Sequence, residues 1–294
     1  MADESPPAPE PADGNVGPAR NPVGVFWGGR AWEFLSLVRA RSPLVQCITN
    51  FVSMDLVANT LLAAGASPAM VHSIHEIEGF TPRCDALYVN VGTLSESWLP
   101  SMRAAASAAV GAGRPWVLDP VAVSASDFRM DACLGLVALR PTVIRGNPSE
   151  ILALSSACRF SDSRGVDSSH ESMDAVGAAM SLAEASGATV AVSGAIDYVT
   201  DGKQVVGTHN GVAMMQKITA TGCAVTALIA AFVAVDPSNT FEATLCALSI
   251  FGLAGELGMD LARGPASLRT NMIDSLYGLD EQTVASRVIV SQRR

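Results

Sequence analysis

The chain has 294 residues, a formal net charge of −9 and an isoelectric point near 4.9. This acidic balance argues against nonspecific nucleic-acid binding, which needs a basic surface, and any anionic substrate must be held by local donors. Hydrophobic residues make up 49% of the chain but aromatic ones only 5%, which predicts an aliphatic core of helices packed on a parallel sheet.

The first 22 residues are rich in Pro, Ala and acidic residues and show no apolar period. We expect a disordered tail there, followed by a single domain over residues 23–294, because no repeat and no second change of composition appears. The tail has neither the apolar segment of a signal peptide nor the composition of an Arg-rich transit peptide. The cytoplasm is therefore the expected location.

Helices and strands are predicted in alternation along the rest of the chain. The predicted helices span residues 31–40, 54–64, 99–112, 173–185, 223–235 and 241–257, and a further helix directly follows the strand that ends at Arg145. The predicted strands span residues 42–50, 67–71, 87–91, 116–119, 142–145, 189–193, 198–200 and 204–208, the last two flanking a hairpin turn at Asp201-Gly202. This order predicts a parallel sheet covered by helices on both faces. The longest apolar run, 223–235, is too short to cross a bilayer, so no membrane segment is expected.

The helix predicted from Cys223 follows a turn of small residues, Thr219-Ala220-Thr221-Gly222. The first N–H groups of a helix have no partner inside it and carry partial positive charge. Small residues ahead of such a start let an anion approach the backbone, and a thiolate would be favoured at Cys223. The segment predicts a cradle for a phosphate, although every strand–turn–helix unit begins in a similar way.

Polar groups follow several of the predicted strands, at Asn50, Gly92-Thr93, Asp119, Arg145 and Ser193. Ligands of open parallel sheets bind beyond the carboxyl ends of the strands, so these groups mark one candidate site. Asp119 fits such a site, but it also fits an ordinary turn before a proline.

The segment Asn147-Pro148-Ser149-Glu150 has a local explanation that needs no ligand. Asn147 is suited to cap a helix, Pro148 to occupy its first position, and Glu150 to bond back to the cap. Arg145 is not explained in this way. A cation after an apolar strand and beside a helix start fits a nucleotide phosphate, or alternatively a surface ion pair.

The six cysteines, at positions 47, 84, 133, 158, 223 and 246, form no C-x-x-C pair. Their scatter is typical of reduced thiols in an intracellular protein and predicts neither a zinc site nor a disulfide. His72 and His75 are expected to be surface residues rather than metal ligands. The sequence contains no P-loop, no G-x-G-x-x-G after a strand and no G-x-S-x-G, which weakens P-loop, dinucleotide-binding and hydrolase functions.

Six blocks of the sequence, in the same order, resemble hydroxyethylthiazole kinase, a thiamine-salvage family of the ribokinase-like superfamily. The blocks lie between about Ser42 and Asp280 and read PLVQCITNFVSMDLVANTLLAAGASPAM, VNVGTLS, VLDPVAVSASDFR, VIRGNPSEI, AVSGAIDYVTDG and TATGCAVTALIAAF. The resemblance implies an α/β fold, a ribokinase-like three-layer sandwich with a mostly parallel central sheet and helices on both faces. It also implies phosphorylation of the alcohol of 4-methyl-5-(2-hydroxyethyl)thiazole by ATP with Mg²⁺, in a homotrimer with active sites between subunits.

The same resemblance assigns roles to residues of these motifs. The residues that it places around the thiazole alcohol are Asn50, Val52, Met70, Gly92 and Ala220. Those that it places around ATP are Arg145, Asn147, Ser193, Thr221 and Gly222. Asp119 and Glu150 would organise Mg²⁺, directly or through water, and Cys223 would lie nearest the reacting hydroxyl.

This chain departs from the family pattern at several positions. Many ribokinase-like enzymes have Asp where it has Cys223, and a thiol of reference pKa near 8.5 needs help from the helix start to ionise at neutral pH. We therefore expect Cys223 to be a weak base or a proton-accepting contact, and turnover to be slow. Family glycines are replaced by Ala122, Ala220 and Ala266, each of which adds a Cβ to the backbone.

Three other functions stay open from the sequence. The first is a sister kinase that acts on a hydroxymethylpyrimidine or pyridoxal-type alcohol. The second is a thiol enzyme with Cys223 as covalent nucleophile, although no candidate His stands in its sequence context. The third is a protein that senses a nucleotide without turning it over.

Overall fold

The computed structural model describes residues 27–162 and 175–292. The tail predicted over residues 1–22 lies outside the described residues, and so do the first two residues of the helix predicted from position 173. All strands of the described residues belong to one sheet. A single central sheet is compatible with the single domain expected over residues 23–294.

Nine strands of the described residues form this sheet, in the order β2-β1-β3-β4-β5-β6-β7-β8-β9. The strands are β1 (Leu44–Ile48), β2 (Ser67–Ala69), β3 (Ala86–Asn90), β4 (Trp116–Asp119), β5 (Val143–Gly146), β6 (Thr189–Val192), β7 (Asp197–Thr200), β8 (Val205–Thr208) and β9 (Val290–Gln292). β1 to β6 are parallel, and β7 to β9 pair antiparallel at one edge. The predicted parallel sheet and the predicted hairpin are confirmed, and β9 has no counterpart in the prediction.

Eleven α-helices accompany these strands in the described residues. They are α1 (Trp27–Arg41), α2 (Met54–Ala64), α3 (Ile74–Phe80), α4 (Leu99–Gly111), α5 (Asp127–Val137), α6 (Pro148–Asp162), α7 (Ala175–Ser186), α8 (Thr221–Val235), α9 (Thr240–Leu261), α10 (Pro265–Gly278) and α11 (Glu281–Arg287). Four of them, α3, α5, α10 and α11, were not predicted, because polar residues interrupt their apolar spacing. Three of these four have side-chain caps of the usual kind, from Ser73 at α3, Ser126 at α5 and Asp280 at α11.

The helices cover both faces of the sheet, as predicted, and make a three-layer structure. One hydrophobic cluster joins α1, α2, α8, α9 and α10 to the sheet. The other joins α4, α5, α6 and α7 to the opposite face. Because β3 and β4 are buried along their whole length, their sequences are continuous apolar runs rather than alternating ones.

α8 is the helix that positions the candidate site. Every residue from Ala224 to Val233 is buried, and Phe232 stacks on Phe34 of α1 with ring centroids 6.1 Å apart. The helix begins at Thr221, two residues before the predicted start, because Ala220 adopts a left-handed conformation (φ 69°) and takes the cap position. This core packing holds the start of α8 against the ends of the central strands.

α9 is, among the described residues, the one helix long and apolar enough to cross a membrane by length and composition. In this fold 72% of its most apolar stretch is buried within the protein. Its side chains Leu245, Leu248 and Leu253 belong to the same hydrophobic cluster as α8. The burial accounts for its apolar character.

Candidate active site

The carboxyl ends of the central strands and the start of α8 meet at one edge of the sheet. Asn50 follows β1 and its amide nitrogen lies 3.4 Å from the sulfur of Cys223. Asp119 ends β4 and contacts Thr226 of α8, whose hydroxyl is 3.1 Å from Asp119 Oδ2. Arg145 in β5 lies against Gly222, where an added Cβ would be 2.6 Å from its Nη1. The polar groups that the sequence placed at strand ends are therefore neighbours in space.

The carboxylate of Asp119 is buried, and its two oxygens have different environments. Oδ2 accepts hydrogen bonds from Asn90 Nδ2 at 2.8 Å and from the Tyr88 hydroxyl at 3.3 Å, in addition to the Thr226 contact. Oδ1 is buried and has no hydrogen-bond partner. Burial raises the pKa of Asp119 to about 6, although the nearby Arg145 guanidinium favours the charged form. The residue thus has one anchored oxygen and one oxygen left for a ligand.

The start of α8 offers backbone donors beside this carboxylate. The first bond within the helix runs from Ala224 N to Ala220 O at 2.9 Å, so the amides of Thr221, Gly222 and Cys223 precede it and have no partner inside the helix. Gly222 has no side chain to cover them, and Arg145 brings a positive charge next to them. These features fit the predicted cradle for an anion.

A cleft of about 270 Å³ opens beside the start of α8. Its polar lining includes Arg145, Ser193, Asp197 and Asn210. Apolar side chains, among them Met215 and Phe251, form the rest of the wall. Arg145 Nε donates to Ser193 Oγ at 2.9 Å, which fixes the guanidinium at the boundary between the cleft and the helix start. The cleft has the mixed lining that small-molecule sites usually show.

Cys223 is partly exposed at the mouth of this site. Its sulfur accepts from two amides, Asn50 Nδ2 at 3.4 Å and Asn90 Nδ2 at 3.3 Å. Burial raises the pKa of the thiol, the charge of Asp119 raises it further, and the two amides and Arg145 only partly oppose this. The expectation that the helix start favours a thiolate is therefore wrong, because burial of the thiol and the neighbouring carboxylate of Asp119 both favour its neutral form.

The local explanation of the segment after β5 is confirmed. Asn147 Oδ1 accepts from Glu150 N at 2.9 Å, and Glu150 Oε2 accepts from Asn147 N at 2.8 Å, which together form a reciprocal cap of α6. Glu150 Oε1 accepts from Ala122 N at 2.9 Å, so both carboxylate oxygens already hold backbone amides. The Thr221 hydroxyl is likewise 3.2 Å from two backbone carbonyl oxygens. These three side chains are engaged in supporting the backbone around the site.

The residues assigned to the thiazole alcohol have more varied surroundings. Gly92 packs against Asn50, since an added Cβ would lie 2.6 Å from Asn50 Nδ2. Val52 is 62% exposed, and its backbone N–H donates to Asn50 Oδ1 at 3.1 Å. Met70 and Ala220 are partly buried against the same hydrophobic cluster as Cys223.

His72 does not have the environment expected of a surface residue. Its ring packs on Trp98 with centroids 4.6 Å apart, its Nε2 is buried, and burial lowers its pKa. The helix that holds His75 begins only at Ile74, so the two histidines do not share a helical face. Within the described residues no group of three or more His, Cys, Asp or Glu could hold a metal ion.

Sequence reasoning missed three residues at the centre of the site. Asn90 contacts both Asp119 and Cys223, and Thr226 contacts Asp119. Arg129 donates to the backbone carbonyl oxygens of Val91, Gly92 and Val121, and so ties together the loops after β3 and β4. Asn90 and Thr226 are isolated polar residues in otherwise apolar segments, LYVNV and CAVTALIAAF, and that pattern could have identified them.

The chain is similar to a known family over most of its length. A family model described as the hydroxyethylthiazole kinase family matches residues 35–282. A hydroxyethylthiazole kinase of Zea mays is 67% identical over 282 residues, covering 95% of this chain and 99% of the relative. One of Arabidopsis thaliana is 65% identical over 266 residues, covering 90% and 96% of the two chains.

Solved structures support the same comparison. A structure of a hydroxyethylthiazole kinase from Pyrococcus horikoshii is 38% identical with a TM-score of 0.82, and the match covers 90% of this chain and 99% of that one. A pyridoxal kinase from Staphylococcus aureus in complex with ADP is 15% identical with a TM-score of 0.54, covering 72% and 86% of the two chains, and shows only a shared fold. The ribokinase-like α/β sandwich implied by the sequence is confirmed.

The left-handed cap of α8 predicts a stabilising substitution. Ala220 has φ 69°, a conformation that costs a residue with a Cβ about 1–2 kcal/mol, and alanine is a poor helix cap. After allowing for the flexibility of glycine in the unfolded chain, Ala220→Gly should raise the free energy of unfolding by about 0.5–1 kcal/mol. Urea denaturation measures this. Ala234→Gly, inside α8, is the matched control and should lower the free energy of unfolding by about 1 kcal/mol. A loss of stability in both variants would contradict the strain at Ala220.

The raised pKa of Asp119 predicts how its charge affects stability. Between its ordinary value of 3.8 and about 6, the folded protein holds a proton that the unfolded chain has lost. Stability from this group therefore falls as pH rises through that window, and the penalty is complete above pH 6. Asp119→Asn avoids it, so its free energy of unfolding should exceed that of the wild type by about 2–3 kcal/mol at pH 7 and match it near pH 4.

The control for this measurement has the opposite sign. A hydrogen bond from the Thr283 amide lowers the pKa of the exposed Asp280, so its charge adds stability that is lost as pH falls. Asp280→Asn should therefore be less stable than the wild type throughout the range from pH 4 to 7, with little change across it, because this contribution is lost only as pH falls below the ordinary value of 3.8. Urea denaturation of both variants from pH 4 to 7 makes the comparison. An Asp119→Asn variant that is less stable than the wild type at pH 7 would contradict the burial penalty.

Proposed function

The chain belongs to the hydroxyethylthiazole kinase family, and we propose that it transfers the γ-phosphoryl group of ATP to the hydroxyl of 4-methyl-5-(2-hydroxyethyl)thiazole. The observation that carries this proposal is the meeting of Asp119, Arg145 and the uncovered start of α8 at one edge of the sheet. The names of the relatives support the substrate, and the product would enter thiamine salvage.

Phosphoryl transfer requires positioning and stabilisation of spreading negative charge more than covalent chemistry. The amides of Thr221, Gly222 and Cys223 can donate to the transferred group, and Arg145 adds a full positive charge beside them. The proposed nucleotide-binding residues Ser193 and Asn147 support this arrangement, since Ser193 holds Arg145 and Asn147 caps α6. The triphosphate would therefore lie between the cleft and the start of α8.

Magnesium is the metal that this donor set fits. Mg²⁺ usually binds one or two protein carboxylates together with substrate phosphates, and it neutralises charge on the phosphoryl oxygens. Asp119 Oδ1, a buried oxygen without a partner, is suited to hold it. Glu150 would act through water, because both of its oxygens already accept backbone amides.

The alcohol would bind on the other side of Cys223, against Asn50, Val52, Met70, Gly92 and Ala220. Because burial raises the pKa of Cys223, this side chain is a neutral thiol at pH 7 and serves as a contact for the hydroxyl rather than as a strong base. A weak proton acceptor at this position supports slow turnover.

Exposed apolar side chains beside the proposed alcohol site support an oligomer in which neighbouring subunits share the sites. Phe51 is 67% exposed and Val52 62% exposed, although both flank the proposed alcohol site. A homotrimer with active sites between subunits would cover these side chains. The acidic net charge and the scattered thiols fit a cytoplasmic enzyme that binds small molecules and not nucleic acid.

A substrate panel tests the proposed function. The protein is incubated with ATP, Mg²⁺ and one alcohol at a time, namely the thiazole alcohol, hydroxymethylpyrimidine or pyridoxal, and the products are followed by ADP release and mass spectrometry. Since a site built for one polar substrate can reject analogues strongly, kcat/KM for the thiazole should exceed the others by at least about 100-fold. Equal turnover of pyridoxal would instead indicate the sister kinase, and ATP binding without any product a nucleotide sensor.

Replacing the thiol tests its role in catalysis. Cys223→Ala should lower kcat less than about tenfold and leave the Kd for ATP unchanged, because loss of a true general base costs about 10²–10⁴-fold. Steady-state kinetics and calorimetry measure the two quantities. Cys158→Ala, at a partly exposed thiol three turns into α6, is the control and should match the wild type. Complete loss of turnover, or a substrate adduct on Cys223 in mass spectra, would mean a stronger chemical role.

A further inference from the structure

Asn90, the last residue of β3, is the fully buried group that connects the two halves of the site. Its amide nitrogen lies 2.8 Å from Asp119 Oδ2, 2.9 Å from the Tyr88 hydroxyl and 3.3 Å from Cys223 Sγ. Its oxygen accepts from Asn50 Nδ2 and from the backbone N–H of Gly92, both at 2.8 Å. Nitrogen and oxygen are thus both fully used.

These contacts allow the amide of Asn90 only one orientation. If it were flipped, its oxygen would face the carboxylate of Asp119, and its NH₂ would face the two donors from Asn50 and Gly92. Both contacts would lose their hydrogen bonds inside the protein, where an unsatisfied polar group is costly. The nitrogen therefore always points to the carboxylate and the thiol, and the oxygen to the residues proposed for the alcohol.

We propose that Asn90 is a positioning residue that sets the alcohol in line with the phosphoryl group. On its nitrogen side it holds Asp119 Oδ2, so that Oδ1 is turned away from the hydrogen-bond network. On its oxygen side it holds Asn50 and Gly92, the proposed walls of the alcohol site. A displacement of about 1 Å between reacting groups can cost about 100-fold in rate, so a rigid link of this kind matters for catalysis.

The proposal rests on the proposed function, and two substitutions separate the two sides of the amide. Asn90→Ala removes both sides. Asn90→Asp keeps the oxygen that accepts from Asn50 and Gly92, but replaces the donor that faces Asp119. If the two carboxylates repel each other, no donor remains on that side. If they share a proton, a single O–H replaces the two N–H groups and serves at most one of the three acceptors, which are Asp119 Oδ2, the Tyr88 hydroxyl and Cys223 Sγ.

The expected results differ between the kinetic and the binding measurements. Asn90→Ala should lower kcat about 100-fold and raise the Kd of the thiazole alcohol about tenfold, measured by calorimetry on protein free of nucleotide and metal. Asn90→Asp should lower kcat at least about tenfold but leave that Kd within about threefold of the wild type. The KM for ATP should stay within about threefold in both, because Asn90 does not contact Arg145 or Ser193.

A matched control lies at the far end of α8. Asn239 Nδ2 donates to Asp236 Oδ2 at the same distance of 2.8 Å, but on the surface beyond the last turn of that helix. Asn239→Asp and Asn239→Ala should keep wild-type kcat and Kd. Thermal unfolding of every variant shows whether it is folded, and Asn90→Ser, which adds no charge, replaces any Asn90 variant that is not.

The outcomes separate this inference from the proposed function. A folded Asn90 variant with kcat within threefold of the wild type would overturn the positioning role. So would equal changes of the alcohol Kd in Asn90→Ala and Asn90→Asp, which indicate a structural role alone. A wild-type protein that makes no thiazole phosphate would contradict the proposed function itself.

Discussion

The site depends on a single buried carboxylate, Asp119, in which only one of the two oxygens accepts hydrogen bonds. Moving an ionised carboxylate out of water is costly unless partners replace its hydration. Here Asn90, Thr226 and Tyr88 surround one oxygen, the other has no partner, and Arg145 supplies a nearby positive charge. The result is a group whose pKa is raised to about 6 and whose Oδ1 has no hydrogen-bond partner within the protein. Such a strained arrangement is typical of a site kept for function rather than for stability.

The fold supplies this arrangement by bringing distant parts of the chain to one edge. β4 ends at Asp119, β5 contains Arg145, and α8 begins at Thr221, far along the chain from both. Because residues 224–233 of α8 are all buried, its first turn is held firmly while its amides remain open to a ligand. Packing energy in the core is thus what keeps the backbone donors in place.

Much of this could be predicted from the sequence, since strand ends and helix caps are encoded locally. Asp119 and Arg145 are predicted from their positions at the ends of apolar strands, and the small residues before α8 from the apolar helix that follows them. The mutual cap of Asn147 and Glu150 follows from residue types alone. The exact start of α8 could not be predicted, because alanine rarely takes the left-handed conformation that Ala220 has. The raised pKa of Cys223 was also hidden, since desolvation depends on which residues pack around the thiol.

The similarity to known kinases and the contacts within the site support the same function from separate observations. A relative that is 67% identical establishes the family, while the contacts around Asp119, Arg145 and the start of α8 support the proposed phosphoryl transfer. The contacts also revise the roles of individual residues. Glu150 and Thr221 support the backbone, and Asn90 joins the halves of the site.

A crystal structure with Mg²⁺, an unreactive ATP analogue and the thiazole alcohol is the direct test of the proposed site. The metal should lie about 2.1 Å from Asp119 Oδ1, and the terminal phosphate within about 3.2 Å of the amides of Gly222 and Cys223. The alcohol should lie on the Asn50 side of the sulfur. A terminal phosphate more than about 10 Å from Asp119, far beyond hydrogen-bond reach, would contradict it.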